Sequence, residues 1–385
     1  MRILHTADWH LGKVVQGVSM LEEQRYIMQQ LLAAIDDLKP DVVIVAGDIY
    51  DRSIPPVEAV KLLDETFKAI VKERHIPLLA IAGNHDSTSR IDFGSELFKT
   101  SGLYMRGKLD AQMPPIILQD EFGEVAFYLI PFADPQEVRY VFNDDAIRSN
   151  EQAMAKIMSA IDHKYARSVC IGHAFVTKNG VEEENPDDGE RPLSIGGSEC
   201  VDSNLFMPFS YTALGHLHQA HFVQDEKIRY SGSPLKYSIS EENHKKGFLL
   251  IDLAADGKVT IDKQFVKPLR DMRRIEGKMD ELLAMTPSDD YVYVTLLDDT
   301  VIITPMEKIR TVFPNAMHIE RKILRGELEV VHLGESRQAM DSQTLFTAFY
   351  AEILGEQPDD AMQTLFNELL QDELDEEREQ GGQRR

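Results

Sequence analysis

Cysteine, positive charge and long apolar runs are all scarce in this chain. Its two cysteines, Cys170 and Cys200, stand in no CxxC or CxxxC spacing, which excludes a disulfide framework and a thiolate metal site and points to a reducing compartment. No uninterrupted apolar stretch approaches the roughly 20 residues needed to cross a bilayer. The N-terminus runs straight into a strand, leaving no room for a secretion signal. A cytoplasmic protein with no membrane partner is expected. Against 65 acidic side chains stand 41 basic ones, a formal charge of -24. This is unfavourable for non-specific attraction to nucleic acid, so any such contact must be local, metal-assisted or shared with a partner.

What is present is the texture of a globular protein, 385 residues with 43% apolar and 28% charged side chains, enough for a large domain and smaller additions. Strand-like runs alternate with helical stretches: Ile3 to Thr6 then Leu21 to Leu38, Val42 to Ala46 then Val57 to Glu73, Leu78 to Ala82 then Ile91 to Thr100. This is an α/β pattern. Further strands near Ala126 to Ile130, Ser168 to Ile171, Tyr211 to Leu214, Ile228 to Ser231 and Gly247 to Asp252 predict a second, more antiparallel sheet packed on the first. Asn179 to Asp188 reads as a polar, acidic surface loop. Residues 1–268 are expected to form the main domain and 269–335 a small α+β capping domain. Residues 336–385 are expected as a helical tail whose acidic end is disordered. In that tail Leu345, Phe346, Phe349 and Tyr350 make one helical stripe and Met362, Leu365, Phe366 and Leu369 another. Two short helices with so little core of their own suit a partner.

Five short motifs carry the chemistry: Asp8-Trp9-His10, Gly47-Asp48, Gly83-Asn84-His85-Asp86, Gly172-His173 and Gly215-His216-Leu217-His218. Singly, an Asp-x-His or a His-x-His is usually an ordinary strand pair. Five following Gly or an apolar strand, at the ends where α/β sheets place their sites, form an oxygen-and-imidazole ligand set for two divalent cations. Such a pair suits phosphoester hydrolysis. Asp48, rigidly presented after Gly47, is the expected bridging carboxylate. Asp8 and His10 suit one ion together, Asn84 and His173 the other, and His216 and His218 could serve both. His85, beside a ligand without being one, is the expected general acid, with Asp86 orienting its imidazole. Mixed imidazole, carboxylate and amide ligands without thiolate favour Mn, Fe, Co or Zn over Ca or Mg alone. Lys13, Arg52, Arg90 and Lys236 could touch a nucleic-acid backbone or be ordinary solvated charges. Leu62, Phe67, Leu97 and Phe98 could be core or part of a dimer. Gly102, Gly107 and Lys108 mimic a phosphate loop, but Leu109 stands where Ser or Thr must reach magnesium, so ATP hydrolysis by this chain is not expected.

These residues resemble the calcineurin-like metallophosphoesterases. Thr6 to Gly12, Ala46 to Asp51, Ala82 to Asp86 and Tyr230 to Tyr237 resemble, within them, the SbcD-type family of DNA-repair nuclease subunits. The resemblance implies a two-sheet αββα sandwich and a Mn-dependent 3' to 5' double-strand exonuclease and single-strand or hairpin endonuclease. It also implies a homodimer that forms a heterotetramer with an SbcC-type coiled-coil ATPase gripping the tail. By that likeness Asp8, His10, Asp48 and His218 hold one metal, Asp48, Asn84, His173 and His216 the other, and His85 assists the leaving group. Two other readings are a two-metal phosphoesterase acting on a small molecule or phosphoprotein, and a non-catalytic metal-bound scaffold protein.

Overall fold

The computed structural model describes residues 1–180, 200–298, 300–322, 342–354 and 357–370. The chain divides into two units, the first comprising Met1–Arg274, Ser288–Tyr293 and Asn315–His318, the second the remaining stretches.

The first unit holds two six-stranded sheets. One runs Val259–Phe265, Gly247–Leu253, Arg2–Thr6, Val42–Ala46, Leu78–Ile81, Leu103–Arg106 in spatial order. The other runs Phe222–Val223, Asp225–Tyr230, Tyr211–Gly215, Ser168–His173, Gly123–Ile130, Ile116–Asp120. Alternate residues explain the layering, because successive side chains in a strand point to opposite faces. Val42, Ile44, Leu79 and Ile81 meet Phe127, Leu129, Val169, Ile171 and Tyr211 between the sheets. Val43, Val45, Leu78 and Ala80 face outward, onto Ile27, Leu31, Leu62 and Phe67 of the helices Leu21–Leu38 and Val57–Lys68. On the far side Ala126, Tyr128, Ile130 and Cys170 meet Val138, Met154 and Ile157 of the helices Pro135–Phe142 and Asn150–Ser159. The result is a four-layer αββα sandwich. Both-sided burial is why these strands read as unbroken apolar runs.

Two expectations are corrected. The second sheet is mainly parallel: Gly123–Ile130, Ser168–His173, Tyr211–Gly215 and Asp225–Tyr230 pair in parallel, and only its two edges are antiparallel. Gly247–Leu253 joins the first sheet instead, antiparallel to Arg2–Thr6. The helix expected over Ile91 to Thr100 is broken into Thr88–Asp92, Ser95–Phe98 and a 3-10 turn Lys99–Ser101. Gly94, at φ 71°, is the breakpoint, and it leaves Phe93 and Leu97 exposed. Leu62 and Phe67 are core.

The second unit carries the helices Met279–Leu283 and Pro305–Ile309 and the tail helix Ser342–Leu354. Residues 360–370 form another helix. Phe346 and Phe366 stack face to face with centroids 4.0 Å apart, so the two tail helices pair with each other. Leu345, Phe349, Leu365 and Leu369 remain exposed. The acidic loop beyond Gly180 and the acidic end beyond residue 370 lie outside the described residues. Among the described residues no helix is long and apolar enough to cross a membrane.

Candidate metal centre

All five motifs lie at the carboxyl ends of strands of the two sheets, and glycines in and beside them let them crowd together. A Cβ on Gly83 would sit 2.1 Å from Asp48 Oδ1 and 2.3 Å from the Asp48 amide nitrogen. One on Gly47 would lie 2.2 Å from His173 Nδ1, and one on Gly215 2.0 Å from the Ala46 carbonyl. Asp8, His10, Asp48 and His216 themselves adopt positive φ (53°, 45°, 47° and 105°), which L side chains rarely hold. Strain at four candidate ligands marks a site fixed by its surroundings.

Two groups of side chains flank Asp48. On one side Asp8, His10 and Asp48 offer ligand atoms all within 4.8 Å of one another, and His10 Nε2 lies 3.1 Å from His218 Nε2. On the other, the Asn84 side-chain oxygen lies 3.0 Å from His173 Nε2 and 3.2 Å from His216 Nδ1. Asp48 Oδ2 faces both groups, 3.7 Å from His10 Nε2 and 3.3 Å from His173 Nε2. Its Oδ1 accepts the His85 amide at 2.9 Å. All seven candidate ligands are thus brought together. His173 donates from Nδ1 to the Ala46 carbonyl at 2.9 Å, which turns Nε2 toward Asp48 and Asn84.

The donor set fits divalent cations. Asp8 Oδ2 and Asp48 Oδ2 are buried and accept no hydrogen bond, an expensive state for carboxylate oxygens that a cation would relieve. Burial pushes the Asp8 carboxyl up to about 8, against the pull of His173 and His218. Burial opposes the charge on His173 as well, but Asp48 and then Asp8 outweigh it and push the imidazole up to about 9. Asp48 is held well below the usual carboxylate range, because His173 and His10 overcome the effect of its burial. Below pH 8 to 9, then, protons sit on groups that a cation must displace. Metal affinity should rise between pH 7 and 9, by up to about tenfold per unit for each proton released, and level off above. Calorimetry in buffers of different ionisation enthalpy counts those protons; an affinity flat across this range would contradict the arrangement.

His85 and Asp86 are placed differently from each other. His85 Nδ1 lies 2.9 Å from the Asp51 carbonyl, and since a carbonyl only accepts, Nδ1 carries the hydrogen. Its ring meets that of His10 edge-on, 4.8 Å between centroids. Asp86 was expected to orient this imidazole, and that expectation is corrected. Its carboxylate accepts the amides of Gly83 (2.9 Å), Ile49 (3.0 Å) and Tyr50 (2.9 Å), bracing one ligand loop against another.

Sequence reasoning missed a supporting layer. Glu241 is fully buried and its Oε1 lies 3.1 Å from His218 Nδ1. Its other oxygen takes Lys246 Nζ, which also donates to the His218 carbonyl (2.9 Å) and Ser233 Oγ (2.8 Å). Gln24 donates to the His10 carbonyl at 2.7 Å and accepts the Gly12 amide at 2.9 Å. A carboxylate behind a ligand imidazole fixes its tautomer. Glu241→Gln is expected to weaken metal binding by about 10–100-fold with the fold intact, measurable by metal titration; unchanged affinity would reduce Glu241 to a packing role. Of the basic candidates, Lys236 is tied to the Glu242 carbonyl (2.7 Å) and Asp271 (2.8 Å), and Lys13 to Asp51 (2.9 Å). Arg52 and Arg90 are exposed.

Comparison with known proteins agrees with this geometry. Residues 1–157 match the calcineurin-like phosphoesterase family, and residues 268–353 match a C-terminal domain family described as that of a type 5 capsule protein repressor. The SbcD subunit of the SbcCD nuclease of Staphylococcus saprophyticus is 35% identical over 364 residues, covering 92% of this chain and 94% of that one. Its counterpart in Staphylococcus epidermidis is 34% identical over 387 residues, covering 98% of this chain and all of that one. The chain therefore belongs to the SbcD family of nuclease subunits, hydrolases of the calcineurin-like phosphoesterase class, whose chemistry depends on divalent metal ions.

Proposed function

We propose that this chain is the DNA-cleaving subunit of an ATP-regulated repair and recombination complex. It acts as a Mn-dependent 3' to 5' double-strand exonuclease and single-strand or hairpin endonuclease. The observation that carries this reading is the clustering of six oxygen and imidazole ligands around a seventh, the Asp48 carboxylate, with His85 at its edge. In this reading Asp8, His10, Asp48 and His218 hold one cation, and Asp48, Asn84, His173 and His216 hold the other. Bound there, two cations supply Lewis-acid activation of water and neutralise charge on the phosphoryl oxygens. Mixed imidazole, amide and carboxylate donors support Mn.

The chain's own side chains do the rest. His85, hydrogen-bonded through Nδ1, presents Nε2 to hand a proton to the leaving oxygen. Glu241 and Lys246 orient His218, while Asp86 keeps the Asn84 loop beside Asp48. Residues 1–268 form the nuclease domain in this reading, 269–335 a cap and 336–385 the tail. The exposed apolar residues of the paired tail helices suit an SbcC-type coiled-coil ATPase. Exposed Ile54, Val57 and Phe93, apolar residues with no partner in the monomer's core, support a homodimer, and with the ATPase a heterotetramer. Both cysteines are buried and unpaired, as the cytoplasm allows.

The test is digestion of end-labelled duplex and hairpin DNA with Mn, Mg or chelator, with and without the ATPase. Mn-dependent shortening that the ATPase and ATP enhance is expected. No DNA cleavage beside brisk hydrolysis of small phosphodiesters would replace this reading with a small-molecule one.

A further inference from the structure

A cavity of about 240 Å³ is lined by His218 and, among others, by Ser233, Asn243, Lys245, Lys246 and Lys263. Lys246 is committed to Glu241, but Lys245 is exposed and Lys263 half-buried, and among the described residues neither pairs with a carboxylate. The charges acting on Lys263 are those of Lys246, Arg229 and Lys245, all of its own sign. In a chain carrying -24, Lys245, Lys246 and Lys263 gather around one cavity, and among the described residues only Lys246 has a carboxylate partner. Burial and like-charge repulsion both lower the Lys263 pKa, and a bound anion would relieve the repulsion.

Aromatic rings outside the cavity lining stand beside two of these cations. Lys263 and Phe265 are two apart on the strand Val259–Phe265, and Lys263 Nζ lies 5.5 Å from the Phe265 ring centroid. The Arg229 guanidinium lies 5.5 Å from the ring of Phe222. Phe265 and Phe222 are 64% and 49% exposed, large flat faces left in solvent beside cations. Phosphate-binding cations interleaved with open aromatic faces are what a single nucleic-acid strand requires.

We propose that the cavity beside Lys245 and Lys263 is a second phosphate site, in which these two lysines hold a backbone phosphate of the DNA strand away from the scissile bond. It rests on the nuclease reading and gives the acidic chain its local grip on DNA, a role that Lys13 and Lys236, already paired, do not fill.

The test compares the full-length wild type, Lys245→Ala/Lys263→Ala and Lys245→Arg/Lys263→Arg. A fluorescein-labelled single-stranded oligonucleotide is titrated in chelator, and hydrolysis of bis(p-nitrophenyl) phosphate is followed with Mn. The alanine pair should bind DNA about tenfold more weakly, with a salt slope shallower by roughly 1.4, two contacts at about 0.7 each. Its KM for DNA should rise in step, while kcat and small-diester hydrolysis stay at wild-type level and the arginine pair restores binding. Unchanged DNA affinity and slope would overturn the site, as would an equal fall in small-diester hydrolysis. Relief of inhibition by a deoxynucleoside monophosphate, with DNA affinity unchanged, would move the phosphate from the backbone to the released product and overturn the backbone assignment. If the wild type hydrolyses the small diester but neither binds nor cuts DNA, the nuclease reading falls first, and this site falls with it.

Discussion

Asp48→Asn is expected to lower DNA cleavage by about 10³-fold or more and to abolish the thermal stabilisation that Mn confers on the wild type. Asp48 is the carboxylate that faces both ligand groups, and its buried Oδ2 accepts no hydrogen bond while lying 3.3 Å from His173 Nε2 and 3.7 Å from His10 Nε2. Asparagine is isosteric and its carbonyl can still accept the His85 amide, so the loop conformation survives. What is lost is the negative charge. Several kcal/mol of charge stabilisation at a metal centre corresponds to about three powers of ten in rate. The metal-free variant should melt below wild type, because His173 and His10, which hold the Asp48 carboxylate below its usual range, lose their anionic partner. Differential scanning with and without Mn checks both halves: a variant still stabilised by Mn, and active, would remove Asp48 from the centre.

His85→Leu is expected to retain Mn binding and lose about 10²–10⁴-fold in kcat on DNA, the usual range for a positioned acid. The imidazole is fixed by the Asp51 carbonyl and touches His10 by its edge, so its removal leaves all seven candidate ligands in place. The substrate separates a proton donor from a structural ring. A p-nitrophenolate leaving group needs little protonation, so the variant should lose far less on bis(p-nitrophenyl) phosphate than on DNA. Equal losses on the two substrates would make His85 a part of the scaffold.

The parts legible in the sequence were those with a short-range cause. Strands such as Val42–Ala46 and Leu78–Ile81 are buried on both faces, so they appear as apolar runs. The ligand motifs show because each begins at a glycine or just after a strand, and Gly47, Gly83 and Gly215 are small for the close approach that brings Asp48, His173 and Ala46 together. Glu241 and Lys246 left no such trace: in Ser-Glu-Glu-Asn-His-Lys-Lys a buried acid and its lysine look like the solvated charges beside them. Only long-range folding, 23 residues from His218, gives Glu241 its role. Asp86 misled for the reverse reason, since adjacency in sequence to His85 suggested a pair where its carboxylate instead takes three amides. Strand direction in the second sheet is likewise a property of crossovers, and no single strand carries it. The break in the helix after Asp92 has a local cause, Gly94 at φ 71°, but one glycine inside an apolar helical pattern does not by itself end a helix.

The central claim is that Asp48 lies between two cations. Anomalous diffraction from crystals grown with Mn tests it most directly. Two peaks are predicted, one among Asp8, His10, Asp48 and His218 and one among Asp48, Asn84, His173 and His216. A single peak that leaves either group without a cation, or none near Asp48, would contradict the account.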